Sequence, residues 1–245
     1  MNAIGLHARP SADHAGKLAR TLALLHAAAE HGAGVVQASS LGAEDQVITH
    51  LIARERLPIA VATLDTGKLH APTLVLIGRT ETAYGLQIAR FAPRAEAVLH
   101  FIAHHGERAM FESVDLRKAC CALRKLEPLG RMLDGRSAWI TGLRREQSSH
   151  RADVPTFERD DHGRTKFNPL AEWTWGDVWH HIGTHGVPYN PLHDAFMPSI
   201  GCEPCTRAIA LGEDFRAGRW WWEDEAAKEC GLHVKQQANQ QGVAA

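Results

Sequence analysis

Four of the five cysteines of this chain fall into two pairs, Cys120-Cys121 and Cys202-Glu203-Pro204-Cys205. A CxxC pair is a common bidentate grip on a metal. Adjacent cysteines reach one site only if the backbone distorts, because neighbouring side chains on a helix diverge. Four thiolates suit tetrahedral zinc or an iron–sulfur cluster, since soft sulfur ligands favour those centres. The spacing leaves the two nearly level, because a structural zinc is ordinarily built from two CxxC knuckles and the tandem pair departs from that pattern. A redox disulfide at the CxxC is the weaker reading, as no thioredoxin-like unit surrounds it. The fifth cysteine, Cys230, stands in Lys228-Glu229-Cys230-Gly231-Leu232-His233. A lone cysteine is ordinarily an incidental buried residue. Here its neighbours are polar, Gly231 permits close approach, and Lys228 or His233 can raise the thiolate fraction.

Cations cluster beside these motifs. Lys125 follows the tandem pair, Arg144, Arg145 and Arg151 follow Thr141-Gly142, and Arg216 and Arg219 precede Trp220-Trp221-Trp222. Any single surface arginine is ordinarily a solvating group. Yet the whole chain balances 27 Lys+Arg against 28 Asp+Glu, a net charge of -1. That excludes a general nucleic-acid binder, which needs many phosphate contacts. Local arginines at strand ends point instead to a small polyanionic ligand. The tryptophan triplet reads as packing for the C-terminal region. The sixteen histidines are scattered and suggest no collective role.

Such groups need a scaffold, and the apolar pattern supplies one. Ser11 to Glu30 reads as an amphipathic helix with Ser11 as N-cap. Gly34 to Ser39 reads as a strand, followed by Ser40-Leu41-Gly42 and a helix with Val47, Ile48, Leu51 and Ile52 on its apolar face. Leu57 to Leu64 is a second strand, ending at Asp65-Thr66-Gly67. A helix over about 71–84, a strand over Gly85-Leu86-Gln87-Ile88 and another over 137–142 extend the alternation. Thr174 and Asp177 form a capping box for a helix over 175–185. Strand–helix–strand alternation predicts an α/β fold, a parallel sheet with helices on both faces and ligands beyond the carboxyl ends of its strands. With 245 residues and 44% hydrophobic content the chain can bury a core without disulfides. No apolar run is long enough to span a bilayer and no secretory signal is visible, so an intracellular, non-membrane protein is expected. The polar stretch 236–245 is expected to be disordered.

Taken in order, the motifs resemble the assimilatory sulfonucleotide reductases, specifically the iron–sulfur type acting on adenosine 5'-phosphosulfate (APS). The resemblance is carried by Gly42-Ala43-Glu44-Asp45, by Leu64-Asp65-Thr66-Gly67-Lys68-Leu69-His70, and by Cys120-Cys121 with Arg124-Lys125-Leu126-Glu127-Pro128-Leu129. Further along it is carried by Thr141-Gly142 through Arg144-Arg145-Glu146-Gln147-Ser148, Lys166-Phe167-Asn168-Pro169-Leu170, Gly201-Cys202-Glu203-Pro204-Cys205-Thr206-Arg207, Gly218-Arg219-Trp220-Trp221-Trp222-Glu223 and the terminal Lys228 to His233. It spans roughly Ser39 to His233. Lys68 stands where relatives commonly have Arg, and the stretch around Arg151 is one residue shorter than in some.

The resemblance implies an adenine-nucleotide α-hydrolase-like (Rossmann-like) single domain: an N-terminal helix over 1–30, a nucleotide and iron–sulfur domain over 31–210, and a C-terminal extension over 211–245. It implies one 4Fe-4S cluster per subunit, held by Cys120, Cys121, Cys202 and Cys205, whose role is electrostatic and structural. It makes Cys230 the nucleophile that forms a thiosulfonate, with thioredoxin as reductant, in cytoplasmic sulfate assimilation and cysteine biosynthesis. Phosphosulfate-binding cations fall at Lys125, Arg151, Arg216 and Arg219. Nucleotide contacts fall at Ser39 or Ser40, Leu64 and Gly142. Arg216 and Arg219, three apart, would share a helix face and clamp one anion. Homo-oligomerisation stays open. The rivals are a reductase of the 3'-phosphorylated substrate (PAPS), an ATP pyrophosphatase, and a non-catalytic metal-cluster nucleotide-binding module. The pyrophosphatase is disfavoured because its phosphate loop would here carry two carboxylates and no lysine. The binding module would have no use for Cys230.

Overall fold

The computed structural model describes residues 2–210 and 212–224. Two helices, α1 (Ala3–His7) and α2 (His14–Ala29), come first. Strands and helices then alternate as β1 (Val35–Ser39), α3 (Ala43–Arg54), β2 (Ala60–Leu64), α4 (Ala71–Tyr84), β3 (Ile88–Phe91) and α5 (Ala95–His105). Helices α6 (Val114–Cys121) and α7 (Glu127–Met132) lead to β4 (Ala138–Ile140), the hairpin of β5 (Phe157–Arg159) and β6 (Thr165–Phe167), and α8 (Trp175–His185).

The strands form one sheet in the order β3-β2-β1-β4-β6-β5, parallel except where β5 pairs with β6 at the edge. The expected α/β class is therefore the class observed. Every residue of β4 is buried, as a parallel strand covered on both faces requires. On one face Val47, Ile48 and Leu51 of α3 and Val178, Trp179 and Ile182 of α8 pack with Leu25 of α2. Met132 and Leu133 cover Val36, Ala62 and Trp139 in a separate cluster. The chain builds from β1 outward through β2 and β3, then returns to place β4 on the other side of β1. That reversal opens a crevice beyond the carboxyl ends of β1 and β4. No helix among the described residues is long and apolar enough to cross a membrane.

The structure departs from the sequence reading in four local ways. The helix expected from Ser11 begins at His14, because the Ser11 amide and hydroxyl donate to Asp177, at 2.7 and 3.0 Å. Asp177 serves its own helix too, closing the expected box with Thr174, and accepts from Lys17 Nζ at 2.8 Å. A residue suited to a local cap is thus recruited across 166 positions, which no local pattern reports. The five-residue α1, capped by Asn2, adds a second helix to the region expected as one. The strand expected over 85–88 runs instead from Ile88 to Phe91, since Gly85 adopts φ +62° and closes α4 as a left-handed cap. The β5–β6 hairpin was not foreseen. Its strands are three residues long, and β5 is largely solvent-facing.

Burial alone would raise the Asp177 carboxyl. The bonds from Lys17, Thr174 and Ser11 overcome it and hold the group well below the usual carboxylate range. A depressed native pKa contributes stability that is complete above the unfolded value near pH ~4 and is lost as pH falls below it. We predict that Asp177→Ala lowers stability by about 3 kcal/mol at pH 7, as loss of one partner of a buried pair does. In urea unfolding, the gap between the two proteins should stay constant from pH 7 to 5 and shrink below pH ~4.

Candidate active site

The crevice is built from the ends of β1 and β4. After Ser39 the chain turns through Leu41, buried with φ +62°, into the first turn of α3. Asp45 Oδ2 accepts the Ser40 amide and hydroxyl, both at 2.6 Å, and so ties that turn. Burial pushes the Asp45 carboxyl up to about 6 despite those bonds. Gly142, just beyond β4, passes so close that a Cβ there would lie 2.5 Å from Asp45 Oδ1. Only glycine fits that approach. Glu44 Oε1 meets Arg144 Nε and Gln147 Nε2, each at 2.9 Å.

A cavity of about 220 Å³ occupies the crevice. All seven residues nominated for substrate binding line it: Ser39, Leu64, Lys125, Gly142, Arg151, Arg216 and Arg219. Ser40 lines it too. Its hydroxyl donates to Asp45, whereas the Ser39 hydroxyl accepts from the Leu41 amide and keeps its proton for a ligand. Arg144, grouped with the ligand cations in the sequence, is instead fully buried in pairs with Glu44 and Glu146. Arg145 is exposed and donates to the Val154 carbonyl. Arg216 and Arg219 share no helix. They sit on a turn joined to Thr206 by an isolated bridge, and still face one cavity.

Trp220 organises that wall. It is buried with φ +40°, and its ring lies 4.6 Å from the Arg219 guanidinium, 4.8 Å from Arg117 and 5.9 Å from Arg216. Of the triplet, Trp220 is buried and Trp221 is exposed, and Trp220 also holds cations. Arg117 makes a buried two-point pair with Glu223, at 2.9 and 2.7 Å.

The four paired cysteines are buried thiols outside any disulfide. They pack together with Met110 and Trp220 and line a second pocket with Lys68, Arg117, Arg124 and Lys125. The distortion that adjacent cysteines require is present: a π-helical turn, Ala122–Leu126, directly follows Cys121. Thr66 Oγ1 lies 3.3 Å from Cys202 Sγ, and Arg124 donates to the Thr66 carbonyl at 2.7 Å. Burial raises the Cys120 thiol and, with Cys202 beside it, pushes Cys205 up to about 11. Among the described residues no three or more His, Cys, Asp or Glu side chains are gathered into a site for a single metal ion. Lys125, Cys202 and Trp220 line both pockets and form their shared wall. Cys230 and its neighbours Lys228 and His233 lie outside the described residues. Arg117, Glu44 and Gln147 join the wall without having been marked by spacing, since the Arg117–Glu223, Glu44–Arg144 and Glu44–Gln147 pairs each span about a hundred residues.

A mostly parallel open sheet with a cation-walled cavity at its reversal point defines an α/β protein of the kind that takes ligands beyond its strand ends. The family model described as the phosphoadenosine phosphosulfate reductase domain matches residues 34–208, and the chain belongs to that family. The adenosine 5'-phosphosulfate reductase of Allochromatium vinosum is 55% identical over 208 residues, 84% of this chain and 81% of that protein. The Burkholderia cepacia protein of the same name is 52% identical over 221 residues, 90% and 88% of the two chains. A crystal structure of the PAPS reductase of Candida auris, as a phosphate complex, superposes with a TM-score of 0.66 at 26% identity, covering 77% of this chain and 90% of that one.

A Cβ at Gly201 would lie 2.3–2.8 Å from the Arg219 guanidinium atoms, so Gly201→Ala must displace that group. We predict that AMP affinity, measured by calorimetry, falls about tenfold, the cost of weakening one charge-assisted bond. The melting temperature should change little, because the displaced group is the far end of a long side chain.

Proposed function

We propose that the chain reduces adenosine 5'-phosphosulfate to sulfite and AMP with thioredoxin as reductant, in cytoplasmic sulfate assimilation. One observation carries this reading. Seven residues nominated from six separate segments line a single cavity, and that cavity shares a wall with the four cysteines. The two relatives above, each more than half identical and named for APS, favour it over the 3'-phosphorylated substrate.

The four cysteines suit a 4Fe-4S cluster, one per subunit. They are buried thiols around one pocket, the adjacent pair ending α6 just before its π-helical turn and the other pair at the turn Glu203–Cys205, and Lys68, Arg124 and Lys125 line the same pocket as counter-charges to thiolates and cluster. Such a group supplies fixed negative charge beside Lys125. Cys120, Cys121, Cys202 and Cys205 would hold it.

The chemistry falls to the chain's own residues. Ser39, the Leu64 backbone and Gly142 seat the nucleotide. Lys125, Arg151, Arg216 and Arg219 screen the repulsion between an anionic nucleophile and an anionic substrate, and stabilise charge developing on the leaving phosphate. The Cys230 thiolate attacks the sulfuryl sulfur. An S–S bond forms, the S–O bond to the phosphate breaks, and AMP leaves with the electron pair. A thioredoxin thiolate then attacks the Cys230 sulfur and releases sulfite. The second thioredoxin thiol resolves the mixed disulfide, so two electrons reach the sulfuryl sulfur. In domain terms, residues 31–210 carry nucleotide and cluster, and 211–245 carries Arg216, Arg219 and the nucleophile.

Anaerobic assays with APS and PAPS side by side test the reading, and sulfite should form from APS. Cys230→Ser should keep its iron and bind APS but release no sulfite, since a serine hydroxyl is scarcely ionised near neutrality. Without thioredoxin, the native enzyme should release about one AMP per subunit and stop, with SO₃ added to the Cys230 peptide by mass spectrometry. SO₃ on another cysteine, undiminished turnover in the serine variant, or equal rates with PAPS would overturn it. Cys121→Ser or Cys205→Ser should lose both iron and activity.

A further inference from the structure

One side chain at the cavity wall touches three segments that must agree for the anion site to exist. Gln147 closes the 3₁₀ turn Arg145–Gln147 and is 9% exposed. Its Oε1 accepts Arg151 Nη1 at 2.6 Å and the Arg144 amide at 3.2 Å. Its Nε2 donates to Glu44 Oε1 at 2.9 Å and to the Gly142 carbonyl at 3.2 Å. Two acceptor and two donor positions exhaust what a primary amide offers. Of those partners, Glu44, Gly142 and Arg151 all line the cavity. Glu44 is meanwhile a carboxylate: burial would raise its pKa, but Arg144 and Gln147 hold it below the usual range.

The chemistry of this arrangement is directional. An arginine side chain has many rotamers, and ordering it on substrate binding costs affinity. The 2.6 Å bond to Gln147 orders Arg151 beforehand. The opposite end of the same amide is anchored to the start of α3 and the end of β4, so the direction is referenced to the sheet. We propose that Gln147 is a positioning residue of the anion site, whose amide oxygen aims the Arg151 guanidinium at the substrate's phosphosulfate group. This rests on the assignment of Arg151 as a phosphosulfate cation made above.

Two substitutions separate aiming from mere support. Gln147→Leu keeps the volume and loses the whole amide. Gln147→Glu keeps an acceptor for Arg151 but loses both donors and sets a carboxylate against Glu44. On full-length, iron-loaded enzyme, Gln147→Leu should raise KM for APS at least tenfold with kcat within threefold. Inhibition by adenosine, which has no anion, should stay within twofold. Gln147→Glu should hold KM for APS within threefold of wild type even if its melting temperature drops further than that of Gln147→Leu. In a double-mutant cycle, Gln147→Leu should add nothing on top of Arg151→Ala, because the one acts through the other.

A supporting role alone gives the reverse: Gln147→Glu more impaired in KM than Gln147→Leu, or adenosine weakened as much as APS. Either result overturns the proposal. Arg151→Ala with impaired KM but an additive cycle also overturns it while leaving the assignment of Arg151 intact. Arg151→Ala with unchanged KM removes that assignment, and the positioning role with it.

Discussion

Trp220 gathers three guanidiniums that would otherwise repel one another in a partly dehydrated wall. Arg117, Arg216 and Arg219 lie within 4.6–5.9 Å of its ring, whose electron-rich face attracts each without neutralising any. Glu223 pairs with Arg117, and Arg216 and Arg219 line the cavity. The arrangement demands a backbone conformation that a tryptophan rarely adopts, φ +40°, which costs of order 1–3 kcal/mol. Bonds from the Trp220 amide to the Cys205 carbonyl and from the Arg207 amide to the Gly218 carbonyl hold it there. Three more non-glycine residues among those described have positive φ: Leu41 on the first loop, Arg56 just after α3, and Phe196 on the chain approaching Gly201.

The same indole closes the cysteine pocket, so the two pockets cannot be set independently. A shift of Cys202 or Cys205 moves the turn that bears Arg219, through the Arg219 Nε bond to the Cys205 carbonyl at 3.3 Å. Lys125 belongs to both walls, and the π-helical turn that carries it follows directly from the adjacent cysteines. Whatever fills the cysteine pocket therefore bears on where the cations stand. Across the cavity stand two acids, both engaged from within the protein. Glu44 is held by Arg144 and Gln147, and Asp45 by Ser40, so the carboxylates brace the first loop from within. This internal use explains how a loop with two acids and no lysine can border an anion site.

Much of this was legible in the residues themselves. Apolar runs of strand length alternating with helical stripes determine a parallel α/β sheet, because such strands are covered on both faces. Paired cysteines beside Lys125, and arginines beyond strand ends in a chain of net charge -1, point to a thiol cluster beside a cationic cavity. These features are local in the chain, or sums over it. Tertiary structure alone decided which cations line the cavity and which are buried away from it. Arg144 and Arg151 stand seven positions apart with the same charge. Yet Arg144 is locked to Glu44 across 100 residues, while Arg151 is held at the cavity wall by Gln147. Ser11 reads as a helix cap and instead serves Asp177, and Arg216 and Arg219 converge without the helix their spacing suggests. For Arg144 and Ser11 the reason is the same. A charged or polar group is satisfied by whatever partner folding brings within about 3 Å, and a partner a hundred residues away leaves no trace in the spacing around it.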